Sequence, residues 1–149
     1  KSAMLWTLGS ATLAFFGAGV WGFMHTLSFV NYYSHGTQVT AAHGHLAFFG
    51  AYVMTVLAVI TYAMPQLRRV QPYNQILNMW SFWLMTSSMC FMSMNYMEVQ
   101  AQLELFYYMR LGAGVMVTIA AVVYLISIFG PIREQAPAGS EGQLAGATG

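Results

Sequence analysis

The sequence predicts an all-α fold, an integral membrane helical bundle, on three observations. Of 149 residues, 58% are hydrophobic and 6% charged, whereas about a quarter of a soluble domain is charged. A chain this poor in charge cannot cover itself with hydrated surface, so the bilayer is its expected solvent. Apolar stretches long enough to cross it, about 20 residues as helix, recur along the chain between short polar joints. Small-residue clusters inside them, Gly17-Ala18-Gly19 and Gly112-Ala113-Gly114, let membrane helices approach closely. The net charge of +1 offers nothing for nucleic acid, and no internal repeat or phosphate-binding glycine loop is present.

Four spans follow in order. The first runs from about Met4 to Val30. The second runs from about Thr40 to Met64, with Pro65 expected to stop it because proline lacks an N–H and clashes with the preceding turn. The third runs from about Tyr73 to Met94, and the fourth from about Val99 to Phe129, stopped by Gly130-Pro131. Residues 1–130 thus form one four-helix membrane segment. Residues 131–149, rich in Pro, Ala, Gly and Ser without apolar periodicity, read as a disordered cytoplasmic tail. The start at Lys1, without initiator Met or signal-peptide layout, reads as part of a longer membrane protein.

Charge sets the orientation. Lys1, Arg68, Arg69 and Arg133 fall on one side of an even alternation, which the positive-inside rule makes cytoplasmic. Asn31 to His35 and the Asn95–Glu98 turn then lie on the outer side, with aromatics at interface depth. The second span enters from that side.

Its outer half carries His43 and His45. Ionisable groups inside a membrane are costly and usually face a bundle interior or a functional site. Residues two apart on an α-helix point about 200° from each other, so these imidazoles cannot share one mononuclear metal without a helix break. They can serve two sites on opposite faces. A buried neutral histidine is a common ligand of haem iron, and two haems would then flank one helix. The other reading is that both rings donate to backbone carbonyls between helices. Gly44, Ala41, Ala42 and Ala47 leave room for a flat macrocycle, and Phe48, Phe49 and Tyr52 offer rings to pack on it. Cys90, the only cysteine, excludes an intrachain disulfide and covalent c-type haem attachment.

Other polar residues carry two readings each. His35, at the outer end, is either an interface histidine or a neighbour of haem propionates. His25, near Trp21 and Met24, reads as packed or hydrogen-bonded. Arg110 must be partnered or solvated inside the fourth span; Glu98 and Glu104 could pair with it or belong to an outer-side proton route. The twelve methionines read as adaptable packing.

The run Tyr33-Ser34-His35-Gly36-Thr37-Gln38-Val39-Thr40-Ala41-Ala42-His43-Gly44-His45-Leu46-Ala47-Phe48-Phe49-Gly50-Ala51-Tyr52 closely resembles the tenth transmembrane helix of the catalytic subunit of bacterial nitric oxide reductases, within the haem–copper oxidase superfamily. Tyr62-Ala63-Met64-Pro65, Tyr73-Asn74-Gln75, Leu77 to Trp83, and Gln100, Gln102, Leu103, Phe106 and Tyr107 extend the likeness over most of residues 15–130. The cytochrome-c-dependent (bc-type) branch is the nearer one. The resemblance implies the last four helices of a twelve-helix bundle in a bacterial inner membrane, with the haems toward the periplasm. It implies His43 as proximal ligand of a high-spin haem b3 and His45 as one axial ligand of a low-spin haem b. The implied reaction takes two NO, two electrons and two protons to N2O and water between haem b3 and a non-haem iron, FeB, whose ligands lie on other helices. The implied partners are those remaining helices, a cytochrome c subunit or a cytochrome c or quinol donor, and membrane lipid. His35-Gly36-Thr37 stands where oxygen-reducing relatives have His-Asp-Thr beside a propionate and a divalent ion, and Gly36 supplies no carboxylate for such an ion. This chain also lacks a stretch that the family carries between the third and fourth helices. An oxygen-reducing terminal oxidase fragment and a purely structural or haem-binding four-helix piece are the alternatives.

Overall fold

The computed structural model describes residues 2–68, 74–95 and 103–130. Among these every ordered element is helical: α1 Ser2–Leu13, α2 Trp21–Thr26, α3 Ser28–Ser34, α4 Gln38–Phe48, α5 Met54–Arg68, α6 Gln75–Asn95 and α7 Leu103–Phe129. Two π-helical segments, Ala14–Val20 and Phe49–Val53, join α1 to α2 and α4 to α5. Among the described residues, three helices are long and apolar enough to cross a membrane: Ser2–Thr26, Gln38–Arg68 and Tyr107–Phe129. The fold is an all-α membrane helical bundle.

The fourth expected span, α6, has 21 residues, about 31 Å as helix, but is more polar. Its position explains this. It packs against α1, α4 and α7, and Asn78, Ser81, Ser88 and Ser93 are buried. A helix face turned toward other helices can carry hydroxyls and an amide if they are bonded internally; Thr86 Oγ1 and Ser93 Oγ instead lie buried with no hydrogen-bond partner among the described residues. Asn78 accepts from Trp6 Nε1 at 2.9 Å and donates to Ser127 Oγ at 3.2 Å. Ser81 donates to the Ala120 carbonyl at 2.7 Å. Nearby, the Tyr124 hydroxyl reaches the Leu57 carbonyl and Thr61 Oγ1, each at 2.9 Å. Around this polar stitch lies the core: Trp6, Phe49, Met54, Ala58, Phe82, Met85, Met89, Ala120, Tyr124 and Ile128. Trp6 sits edge-on to both Phe82 and Tyr124, with ring centroids at 5.0 and 5.6 Å.

Two boundaries differ from the sequence expectation. The first helix ends at Thr26, not Val30, because Leu27 is extended (φ −74°, ψ 122°). The Thr26 hydroxyl takes the Phe23 carbonyl at 2.7 Å, a local bond that competes with the helical ladder. The second helix does not stop at Pro65 but runs on to Arg68. Arg68 anchors that last turn, donating to the Ile128 carbonyl at 3.0 Å and lying 5.7 Å from the centre of the Phe129 ring. The α7 end at Phe129 agrees with expectation. Lys1, Arg69, Glu98, Arg133, the side chain of Glu104, the short 96–102 junction and the tail 131–149 lie outside the described residues.

Candidate functional site

The start of α4 is set by a glycine. Gly36 has φ +71°, a conformation that only glycine adopts without strain, and it turns the chain from α3 into α4. Thr37 caps α4, its hydroxyl accepting from the Val39 N–H at 3.3 Å. The hydroxyls of Thr37 and Thr40 both donate to the Ser34 carbonyl at 2.6 Å. Any side chain at position 36 would have to enter the left-handed region, so glycine fits the turn. His35 is exposed at this turn.

One turn inward, α4 presents its two imidazoles to different neighbours. His43 faces α2 and the Ala14–Val20 segment. Its Nδ1 lies 2.8 Å from the Gly17 carbonyl. Its ring packs edge-to-face against His25, with centroids 4.9 Å apart, and lies 6.2 Å from Trp21. His45 faces the other way, its Nδ1 2.8 Å from the Ala41 carbonyl of its own helix. A carbonyl only accepts, so both rings carry a proton on Nδ1. This is the tautomer that histidine ligands of metals commonly adopt, with the second nitrogen held by a backbone carbonyl.

His45 lines an apolar cavity of about 660 Å³ between α4, α6 and α7, shared with Ala41, Gly44, Phe48, Met85 and Val117 among others. Gly44 meets no atom within 4 Å of where a Cβ would stand. The small residues around the histidines therefore divide between faces. Ala41 and Gly44 open the cavity, whereas Ala47 packs against Gly17 on the other side and Ala42 is fully buried. Of the aromatics, Phe48 and Phe49 line the cavity, and Tyr52 is exposed beside the Phe48 ring.

The structure brings His25 into the site, a closeness that the sequence did not signal. His25 and Gly22 lie on the α2 face that meets His43. A Cβ on Gly22 would stand 3.4 Å from His43 Cε1. His25 Nε2 is buried without a hydrogen-bond partner among the described residues. Arg110, open to two readings from sequence, donates to Gln38 Oε1 at 3.1 Å and stacks over Tyr107 at 4.3 Å. No group of three or more metal-ligating side chains occurs among the described residues. His25 and His43 are neighbours; His43 and His45 diverge.

Comparison with known proteins bears on what such a helix does. The chain is 45% identical over 153 aligned residues to a nitric oxide reductase subunit of Stutzerimonas stutzeri, covering 85% of this chain and 32% of that relative. The chain thus spans about a third of the relative's length. The alignment is longer than the part of this chain it covers, so the relative carries residues within the matched stretch that have no counterpart here. The family described as cytochrome C and quinol oxidase polypeptide I matches residues 1–103, a stretch that includes α4 and both of its divergent histidines. The chain belongs to that family, the polypeptide I of haem–copper oxidases.

Proposed function

We propose that this chain is part of a respiratory nitric oxide reductase in which His43 ligates a high-spin haem b3 and His45 provides one axial ligand of a low-spin haem b. The observation that carries this reading is the divergence of two Nδ1-protonated imidazoles from one helix. The donor set fits. His45 opens onto an apolar cavity whose volume lies within the range of cofactor sites, about 300–1,000 Å³, and the side-chain-free edge at Gly44 leaves room for a flat group. On the opposite face α2 lies against the His43 ring at Gly22, where a Cβ would stand 3.4 Å from Cε1 and 3.9 Å from Nε2, so a group held on His43 Nε2 would require α2 to move aside. The 45% identity to a nitric oxide reductase polypeptide supports the same reading.

The haems and the non-haem iron, FeB, supply the redox chemistry that takes two NO to N2O and water. The FeB ligands are assigned to other helices of the same subunit. This chain's residues orient. The Gly17 carbonyl fixes the His43 tautomer and ring plane, and the Ala41 carbonyl does so for His45. His35, at the α3–α4 turn, is assigned to the neighbourhood of the propionates. A cytochrome c subunit, or cytochrome c or quinol, is the proposed electron donor, and α4 is the element that would hold both groups. The proposed location is a bacterial inner membrane with the haems toward the periplasm. An oxygen-reducing oxidase is the alternative; the glycine at position 36, in place of the aspartate of those relatives, speaks against it.

The test is a pair of variants in the complete enzyme. His43→Ala is expected to abolish NO turnover and the high-spin haem signal. His45→Ala is expected to remove the low-spin signal. Reduced-minus-oxidised optical spectra read both, and equal loss of both signals in each variant would argue against separate sites.

A further inference from the structure

The two faces of α4 differ in how readily they take a group. His45 opens onto a cavity, whereas α2 stands beside His43 Nε2. The build of α2 bears on how that obstacle is removed. It has six residues, Trp21–Thr26, none of them fully buried. It packs chiefly on its chain neighbours, the Ala14–Val20 segment and α3. Its glycine and ring contacts on α4 all fall on His43: Gly22 at the ring edge, His25 edge-on with centroids 4.9 Å apart, and Trp21 at 6.2 Å.

Both ends of α2 are irregular backbone. The chain before it is π-helical, a geometry frequent at functional sites. After it, Leu27 is extended. Hinges are a few element-terminal residues that absorb a change of backbone angle, and α2 has such a place on either side. Gly19, in the first of them, is unobstructed: a Cβ there would meet only the Ala14 carbonyl oxygen within 4 Å, at 3.8 Å. The bond that orients His43 lies beyond this hinge. Gly17 precedes Gly19, so its carbonyl keeps the 2.8 Å bond to Nδ1 while α2 shifts. The contact also carries a cost of its own. His25 Nε2 is buried with no hydrogen-bond partner among the described residues, and an unmet buried polar group destabilises the arrangement that buries it. Little is lost when α2 gives way.

We propose that α2 is a flap over His43 Nε2, latched by the His25 ring, that turns about the π segment and Leu27 to admit the group His43 ligates. This rests on the His43 assignment above. His25 then controls entry to the site and releases the His43 ring once the site is filled.

The test uses the complete, membrane-assembled enzyme. Electron cryomicroscopy of the haem-loaded form is expected to show the His25 and His43 centroids more than about 7 Å apart, the outer limit of aromatic contact, with the Gly17 carbonyl bond kept. Enzyme from cells starved of haem precursor is expected to keep the 4.9 Å contact. When precursor is restored, His25→Ala is expected to acquire high-spin haem several-fold faster than wild type, with low-spin uptake unchanged. The iron–histidine vibration of its loaded form, read by resonance Raman spectroscopy, is expected to stay in place. His25→Phe keeps an edge-on ring and is expected to take up haem near the wild-type rate; if His25→Ala fails to assemble, His25→Leu replaces it. Rings in contact in the loaded enzyme, or apart in the starved one, overturn the proposal. So does high-spin uptake at the wild-type rate in the alanine or leucine variant. A shifted iron–histidine vibration does the same, because it marks His25 as a fixed prop of the ring. A high-spin band that survives in His43→Ala sinks the ligand assignment itself, and the flap with it.

Discussion

Gly22 is the residue at which α2 touches the His43 ring, and its missing side chain is what lets the ring lie there. A Cβ alone would stand in ordinary contact, 3.4 Å from Cε1, so Gly22→Ala is expected to be mild. The branched side chain of Gly22→Val has to displace the imidazole or bend α2, since overpacking a close contact costs about 1–3 kcal/mol. The expected outcome is loss or broadening of the high-spin haem signal with the low-spin signal kept, read by optical and electron paramagnetic resonance spectra. The divergence of His43 and His45 was legible because it follows from 100° per residue and a two-residue step. The role of His25 against His43 was not: the two lie 18 positions apart on different helices, and only the packing of α2 on α4 makes them neighbours. Arg110 was legible as a residue needing a partner; that Gln38 is one of its partners depends on how α4 and α7 are aligned.

At the scale of elements, hydropathy located the membrane helices and missed their local interruptions. Leu27 is apolar and its neighbours Thr26 and Ser28 are uncharged, so span-length hydropathy does not mark the break at the end of α2. Pro65 looked like a stop, but a tertiary anchor through Arg68 carries α5 one turn further. The π-helical segments were equally silent, although both sit where helices come closest. At Gly50, within the second of them, a Cβ would stand 2.7 Å from Leu13 Cβ and 2.8 Å from the Ala14 backbone nitrogen. Backbone cannot retreat as a side-chain tip can. Gly50→Ala is therefore expected to push the two π segments apart and break the 2.7 Å bond from Ser10 Oγ to the Gly50 carbonyl. A destabilisation of about 1–3 kcal/mol follows from such overpacking, measurable as a lower thermal midpoint in detergent.

Across the molecule α6 links α1, α4 and α7, and the polar residues it buries between them are what composition alone did not reveal. Its Asn78 ties α1 to α7 through Trp6 and Ser127. Asn78→Leu removes both bonds and leaves the Trp6 N–H buried without an acceptor. The expected cost is about 1–3 kcal/mol, seen as a lower midpoint and easier proteolysis in the full subunit, with both haem spectra initially intact because Asn78 lies far along α6 from Met85 and Met89 at the cavity. Large side chains such as Phe15, Phe23, Tyr62 and Trp80 stay exposed on the outside, and a lipid or protein neighbour must cover them. The wide turn Phe49–Val53 has one more consequence for evolution of the chain. Its i→i+5 bonding holds an extra residue within the rod, so deleting a single residue there is expected to tighten the turn to ordinary α-helix and to withdraw Gly50 from its close approach to Leu13 and Ala14.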